Sequence, residues 1–312
     1  MSEQQYRFRC VFAIVVASIL WGTTGTAASF APDVSPLAIG AIAMGGGGLL
    51  MCLRVLKGLL QHRGALWMQG RALLLGAACV AIYPLAFYSS MAMAGVAIGT
   101  IVSIASAPCF AMILDMWLNR KPLTARWVLS LVCGVAGIAC LTLTKSPEHS
   151  ETVMKTREWG IGLGLLAGLT YAGYSWITKH LITGGVVSGV AMAAQFGLAA
   201  CVLLPSLLFT GANVTDSITN MSVAIYMAVV PMFLGYLLFG YGLRKIDAST
   251  ATLITLLEPV VATLLAVYLL TERFTLTGWI GIGLIGLCLS IQMGKKPFKR
   301  KTAAPDSAAT KT

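Results

Sequence analysis

The sequence predicts an all-α integral membrane protein of ten transmembrane helices arranged as two inverted five-helix repeats, and three observations lead there. Apolar residues make up 57% of the 312 and charged residues 11%, with a mean hydropathy of +0.83, against about 45–50% and about 25% in soluble domains. Apolar stretches of about 20 residues, the length of a bilayer span, recur along the chain. The second half can also be laid on the first. A soluble enzyme needs a charged surface that this composition does not supply, so lipid is the expected solvent.

A spanning helix takes about 20 apolar residues, because the hydrocarbon core is about 30 Å thick and each residue advances the helix by about 1.5 Å. On that rule the first span is 10–30. Arg7 and Arg9 ahead of it, and Thr24-Gly25-Thr26-Ala27-Ala28-Ser29 inside it, imitate a secretory signal with a small-residue cleavage site. The apolar run reaches Phe30, however, and has a counterpart later in the chain, so it reads as a retained span. Pro32, Asp33 and Pro36 punctuate the turn into 37–56. Spans 72–93, 96–118 and 127–144 complete the first half. After a long polar linker come 159–178, 186–210, 222–243, 249–270 and 278–293, with the polar stretch 211–220 between the second and third of these. The organisation is a cytoplasmic N-terminus (1–9), a first repeat (10–144), an external linker (145–158), a second repeat (159–293) and a basic tail (294–312). The tail's Ala, Thr, Pro and Ser content predicts disorder.

Lys and Arg of short loops stay on the cytoplasmic side. With the N-terminus inside, 18 of the 22 fall inside, and the others are Lys145, Lys155, Arg157 and Arg273. Both termini are therefore expected in the cytoplasm, on a multi-pass protein of a cell (inner) membrane. The same bias accounts for the net charge of +11 and removes nucleic acid as a partner. The basic run 295–301 suits anionic headgroups of the bilayer.

No cofactor and no metal is expected. The eight Cys lie in apolar runs without a CxxC pair or a Cys/His cluster, so they read as small packing residues. His62, His149 and His180 lie in connections and assemble neither a triad nor a zinc site. Gly281-Ile282-Gly283-Leu284-Ile285-Gly286 matches GxGxxG only formally, since it lies within a span and follows no strand. Gly160, Gly164 and Gly168, like Gly45–Gly48, predict close helix approach instead. Asn213-Val214-Thr215 and Asn220-Met221-Ser222 are glycosylation sequons that matter only in a eukaryotic secretory pathway.

At an offset of 151, Ala107-Pro108 aligns with Glu258-Pro259 and Leu123-Thr124 with Phe274-Thr275; one further residue brings Trp127 and Gly134 onto Trp279 and Gly286. Five spans per copy is odd, so the second copy enters the bilayer from the opposite side. The halves are then related by a pseudo-twofold axis in the membrane plane. Five plus five spans, Trp21-Gly22-Thr23-Thr24, Leu256-Leu257-Glu258-Pro259 and Leu270-Thr271-Glu272-Arg273-Phe274-Thr275 together resemble the EamA-type transporters of the drug/metabolite transporter superfamily, over residues 10 to 293. That resemblance implies a bacterial inner-membrane carrier, often an exporter of amino acids or related metabolites. The first half departs from the pattern, with Ala107 in the place of Glu258 and Lys121 in the place of Glu272.

Two carboxylates lie within spans, Asp115 and Glu258. A charge at mid-depth costs at least about 2.5–3.5 kcal/mol and usually faces protein or a watery cavity. Asp115, one turn from the cytoplasmic end near Arg120 and Lys121, reads as a structural ion pair or anchor. Glu258 is too deep to snorkel, and it is expected to bind a proton or a substrate ammonium, or else to bond a neighbouring helix. Trp21, Tyr83, Tyr171, Tyr174 and Tyr236 are the favoured substrate-lining residues, on spans that the resemblance places around a central cavity; each pairs an apolar body with a polar handle. Tyr88, Trp176 and Tyr241 share that chemistry. Gln195, a lone amide mid-span, suits either a substrate or a helix backbone. Pro108 and Pro259 mark helix breaks or hinges.

The reading is a secondary transporter working by alternating access on a small-molecule substrate, with a proton as a further candidate ligand, as a monomer or homodimer. The alternatives are an uncoupled facilitator or exchanger, a membrane interaction partner, and an intramembrane enzyme using Ser175 and Lys179 at i, i+4 spacing.

Overall fold

The computed structural model describes residues 2–142, 154–270 and 276–293. The motif residues 271–275, the first part of the linker and the basic tail lie outside the described residues. Every regular element among the described residues is helical: α1 (Glu3–Ala28), α2 (Pro36–Arg54), α3 (Gly70–Ala94), α4 (Val96–Asn119), α5 (Ala125–Thr142), α6 (Met154–Thr183), α7 (Ser188–Thr210), α8 (Ile218–Gly242), α9 (Ala248–Leu269) and α10 (Leu276–Met293). Seven of them, α1 to α4 and α7 to α9, are long and apolar enough to cross a membrane, and α5 and α10 are shorter apolar helices.

Local chemistry sets the ends. Ser2 and Gln5 cap α1 reciprocally, the Gln5 N–H donating to Ser2 Oγ at 3.2 Å and the Ser2 N–H to Gln5 Oε1 at 3.1 Å. Pro36 opens α2, where the missing N–H costs nothing. Gly95, at φ +88°, takes a conformation closed to most side chains and lets α4 follow α3 directly. α6 begins at Met154, five residues before the apolar run at Trp159, so the end of the expected linker is helical. Between α2 and α3 the basic loop forms two short helices, Leu56–Gln61 and Arg63–Met68. They expose Leu56, Leu60, Trp67 and Met68 beside Lys57 and Arg63, the mixture suited to a membrane interface.

Packing follows small residues. α6 lies along α3 and α4, α1 along α8 and α9, α2 along α7, and α5 along α10. In lipid, tails are as apolar as side chains, so association depends on close van der Waals approach. Gly160 and Gly168 provide it, since a Cβ on either would sit 2.6 Å from the Ala94 nitrogen or 2.8 Å from the Ser103 carbonyl. Gly137 and Gly281 meet reciprocally between α5 and α10, each Cβ falling within 2.9 Å of the other's carbonyl oxygen. Gly283 and Gly286 face open space, so the formal GxGxxG run is a helix with one packing glycine. The largest buried cluster joins Trp21, Tyr171, Tyr174, Phe196, Tyr236 and Phe239 at the centre of the bundle.

Gly281→Ala should lower the thermal unfolding midpoint of the purified protein by several degrees, because overpacking against backbone costs about 1–3 kcal/mol. Gly283→Ala should leave it unchanged. Equal midpoints for the two variants at one scan rate would contradict the α5–α10 contact.

Candidate functional site

Pro259 has no N–H, so the Thr255 carbonyl loses its usual partner four residues on. The chain answers with a 3₁₀ turn over Thr255–Leu257, in which the Glu258 N–H donates to that carbonyl. Glu258 thus becomes the first residue of the resumed helix, and its side chain forms part of a cavity wall. α4, by contrast, runs without interruption through Pro108.

In α8 the helix widens into a π-helical stretch, Ala228–Leu234. The Gly235 N–H bonds the Val230 and Met232 carbonyls and passes over Pro231. The Pro231 carbonyl is left to accept from Trp21 Nε1 at 2.9 Å. Gly235 makes room for the indole, since a Cβ there would lie 2.7 Å from Nε1. A wide turn in one helix therefore fixes the ring of another.

Around Glu258 the structure brings together Trp21, Tyr83, Tyr171, Tyr174 and Tyr236 on a cavity of about 50 Å³. Its walls come from α1, α2 and α3 of the first half and α6, α8 and α9 of the second. The volume holds a few water molecules and falls well short of the several hundred Å³ typical of small-molecule sites. Toward the end of the bundle that carries the N-terminus, the floor is closed by aromatics. The Tyr174 and Tyr236 hydroxyls share a hydrogen bond at 2.8 Å, Phe196 lies 4.3 Å from the Tyr236 ring centre, and Phe239 packs 5.3 Å from Trp21. Tyr171 is held by a 2.8 Å bond to Thr255 Oγ1, in the same turn that positions Glu258.

Gln195 is not in this cavity. Its Nε2 donates to Thr178 Oγ1 at 2.7 Å, and its buried Oε1 has no partner among the described residues. Of the aromatics given equal chemistry, Tyr88 lines the cavity. Trp176 stacks on His180, and Tyr241 packs on Tyr6 beside Arg244. Sequence reasoning missed Phe87, Met44 and Met232 as lining. Phe87 stands one helical turn beyond Tyr83, a signal that was available; Met44 and Met232 carried none. Ser175 Oγ is buried without a partner among the described residues, while Lys179 Nζ donates to the Leu243 carbonyl at 2.7 Å, so the two are not bonded to each other.

A second cluster ties the basic end together. Asp115 is fully buried, and its Oδ2 accepts from the Ser249 hydroxyl at 2.6 Å and from the Ser249 N–H at 3.3 Å. Asp247 precedes α9 in the capping position but makes no side-chain cap. Asp115 supplies that cap from the neighbouring helix, and Asp247 instead pairs with Lys121 at 2.5 Å and Lys179 at 3.9 Å. Asn119 and Lys121 complete the Asp115 shell at 2.8 and 3.9 Å.

With this geometry in place, comparison with known proteins adds identity. The model of the EamA-like transporter family matches the chain twice, over residues 8–143 and 158–291. A relative from Bacillus subtilis, "Uncharacterized transporter YwfM", is 30% identical over 93% of this chain and 95% of its own. Protein PecM of Dickeya dadantii is 24% identical over 91% of this chain and 92% of its own. A solved crystal structure superposes with a TM-score of 0.74 over 90% of this chain and 95% of the other, at 18% identity, which speaks to the fold alone.

Asp115→Ala removes a buried acceptor of three hydrogen bonds and should cost about 3 kcal/mol, seen as a lowered unfolding midpoint. Asp247→Ala, half exposed, should cost under about 1 kcal/mol. The reverse order would mean that α9 is capped in some other way.

Proposed function

The chain belongs to the EamA-like transporter family, and within it we propose a secondary transporter that moves amino acids or related small metabolites outward by alternating access. It is a membrane transporter, and the names of its relatives point the same way. The proposal extends to ten spanning helices in two inverted repeats, 10–144 and 159–293, with both termini in the cytoplasm of the inner membrane. What supports a twofold relation between the repeats is the pattern of helix contacts. Exchanging each helix with the one five places along turns α1–α8 into α6–α3 and α1–α9 into α6–α4, and returns α2–α7 and α5–α10 to themselves. A twofold axis requires that correspondence.

One observation carries the functional reading: a cavity between the two halves holds a single carboxylate in an aromatic wall. Glu258 binds a proton or the substrate's amine there, and Trp21, Tyr83, Tyr171, Tyr174 and Tyr236 orient the substrate. Closure toward the basic end, by the Tyr174–Tyr236 floor and the Asp115–Ser249 and Lys121–Asp247 contacts, describes a state shut to the cytoplasm. Inward opening separates those groups, while the glycine-packed contacts between α6 and α3/α4 move as a unit. Pro259 serves as the hinge beside the site, with Pro108 at the corresponding place of the other half.

In proteoliposomes loaded with pooled radiolabelled amino acids and amines, the wild type should show efflux that rises with an imposed pH gradient, and Glu258→Gln should lose that rise. Equal, gradient-independent efflux from both would leave an uncoupled facilitator or exchanger and assign Glu258 to structure.

A further inference from the structure

The charge of the cavity wall narrows the proposed range, amino acids or related metabolites, to the amines among those relatives, on the premise that this cavity is the transport site. Among the described residues that line it, Glu258 is the only carboxylate, and none is Lys, Arg or His. Among the described residues no hydrogen bond or ion pair reaches the Glu258 carboxyl. A carboxylate left in this position lacks a counter-cation, and the missing partner has to be brought in by a ligand or replaced by a proton.

The remaining polar groups are largely occupied. Trp21 Nε1 donates to the Pro231 carbonyl, Thr24 Oγ1 to the Trp21 carbonyl at 2.7 Å, Tyr171 is bonded to Thr255, and the Tyr174 and Tyr236 hydroxyls bond each other. An amino acid's own carboxylate would therefore enter a wall without a cation, next to Glu258, with only the Tyr83 and Tyr88 hydroxyls and the one hydrogen left over from the Tyr174–Tyr236 pair as donors among the described lining residues. Two carboxylates in a low-dielectric site repel strongly.

The rings offer the opposite. Tyr83 and Tyr171 lie 5.6 Å apart centre to centre, Tyr171 and Tyr174 5.3 Å, and Trp21 and Tyr236 4.7 Å. Clustered ring faces attract a desolvated organic cation. They do not suit a metal ion: Ca²⁺ and Mg²⁺ take about six or more oxygen ligands, and no grouping of metal-binding side chains occurs among the described residues.

We propose that the cavity selects singly charged organic amines that lack a carboxylate, and discriminates against the zwitterionic amino acids of the same side chain. The ammonium sits between Glu258 and the rings of Tyr83 and Tyr171, and the cavity widens around the apolar remainder.

The test is equilibrium binding to the purified full-length protein, with radiolabelled phenethylamine displaced by unlabelled phenethylamine, phenylalanine and N-acetylphenethylamine, and with 3-methylbutylamine and leucine as a second pair. Each amine should bind at least about tenfold more tightly than its amino acid, and the uncharged acetyl derivative should bind as weakly as the amino acid. Glu258→Gln should erase the preference. Because that variant could misfold, Tyr83 is replaced in parallel: Tyr83→Leu should weaken amine binding several-fold, and Tyr83→Phe, which keeps the ring, should not. Amino acids binding as well as their amines, no binding of either amine, or a preference that survives Glu258→Gln would each overturn the inference. Vesicle flux separates the two levels. Selective amine binding without transport would sink the carrier reading alone, and transport of amino acids without amine preference would sink this inference alone.

Discussion

In a lipid environment each backbone donor and acceptor has to be satisfied within the chain, because the surrounding solvent offers no hydrogen bonds. The architecture depends on that requirement. It leaves helices as the regular element, and it makes each departure from regularity local and compensated. Pro259 removes one donor, and the 3₁₀ turn before it restores the lost bond with the N–H of Glu258. The π-helical stretch of α8 skips the Pro231 carbonyl, and the Trp21 indole takes it up. Both repairs lie at the same cavity. These two irregularities thus position the carboxylate and the ring beside it.

Side chains obey the same rule at the basic end. Asp115 caps α9 from α4, a bond that links two helices where a local cap would have served only one. The local candidate, Asp247, is released to pair with Lys121 and Lys179. Charges that topology places at this end are thereby joined to the closure of the bundle. The cavity above is small because aromatics of α6, α7 and α8 close its floor and pack against Trp21 of α1.

The glycines have a complementary role. With no difference in hydrophobicity between lipid and side chain to drive association, helices are held where their backbones come close. Gly160, Gly164 and Gly168 bring α6 against α3 and α4, while Gly137 and Gly281 bring α5 against α10. Contacts of this kind are rigid. Motion is therefore easier where the halves meet through separable polar and aromatic side chains than where they meet through backbone.

Much of this was legible in the chain before folding. Apolar run length fixes which segments become long apolar helices, since it is a matter of composition and rise per residue. Glu258 and the aromatic residues stood out because a carboxylate or a phenol inside an apolar run needs a reason. Asp115 could be read as an anchor from its distance to the helix end, and the glycine ridge from its spacing. The partners could not be read. That Asp115 would cap α9, that Gln195 would bond Thr178 behind the cavity, and that Phe87, Met44 and Met232 would line it all depend on how helices are rotated about their axes. Composition and periodicity, which are properties of one segment, determined the helices and the scarce polar groups within them. Tertiary packing alone decided which of those groups meet, because the near-uniform apolar surface of these helices encodes no single facing direction.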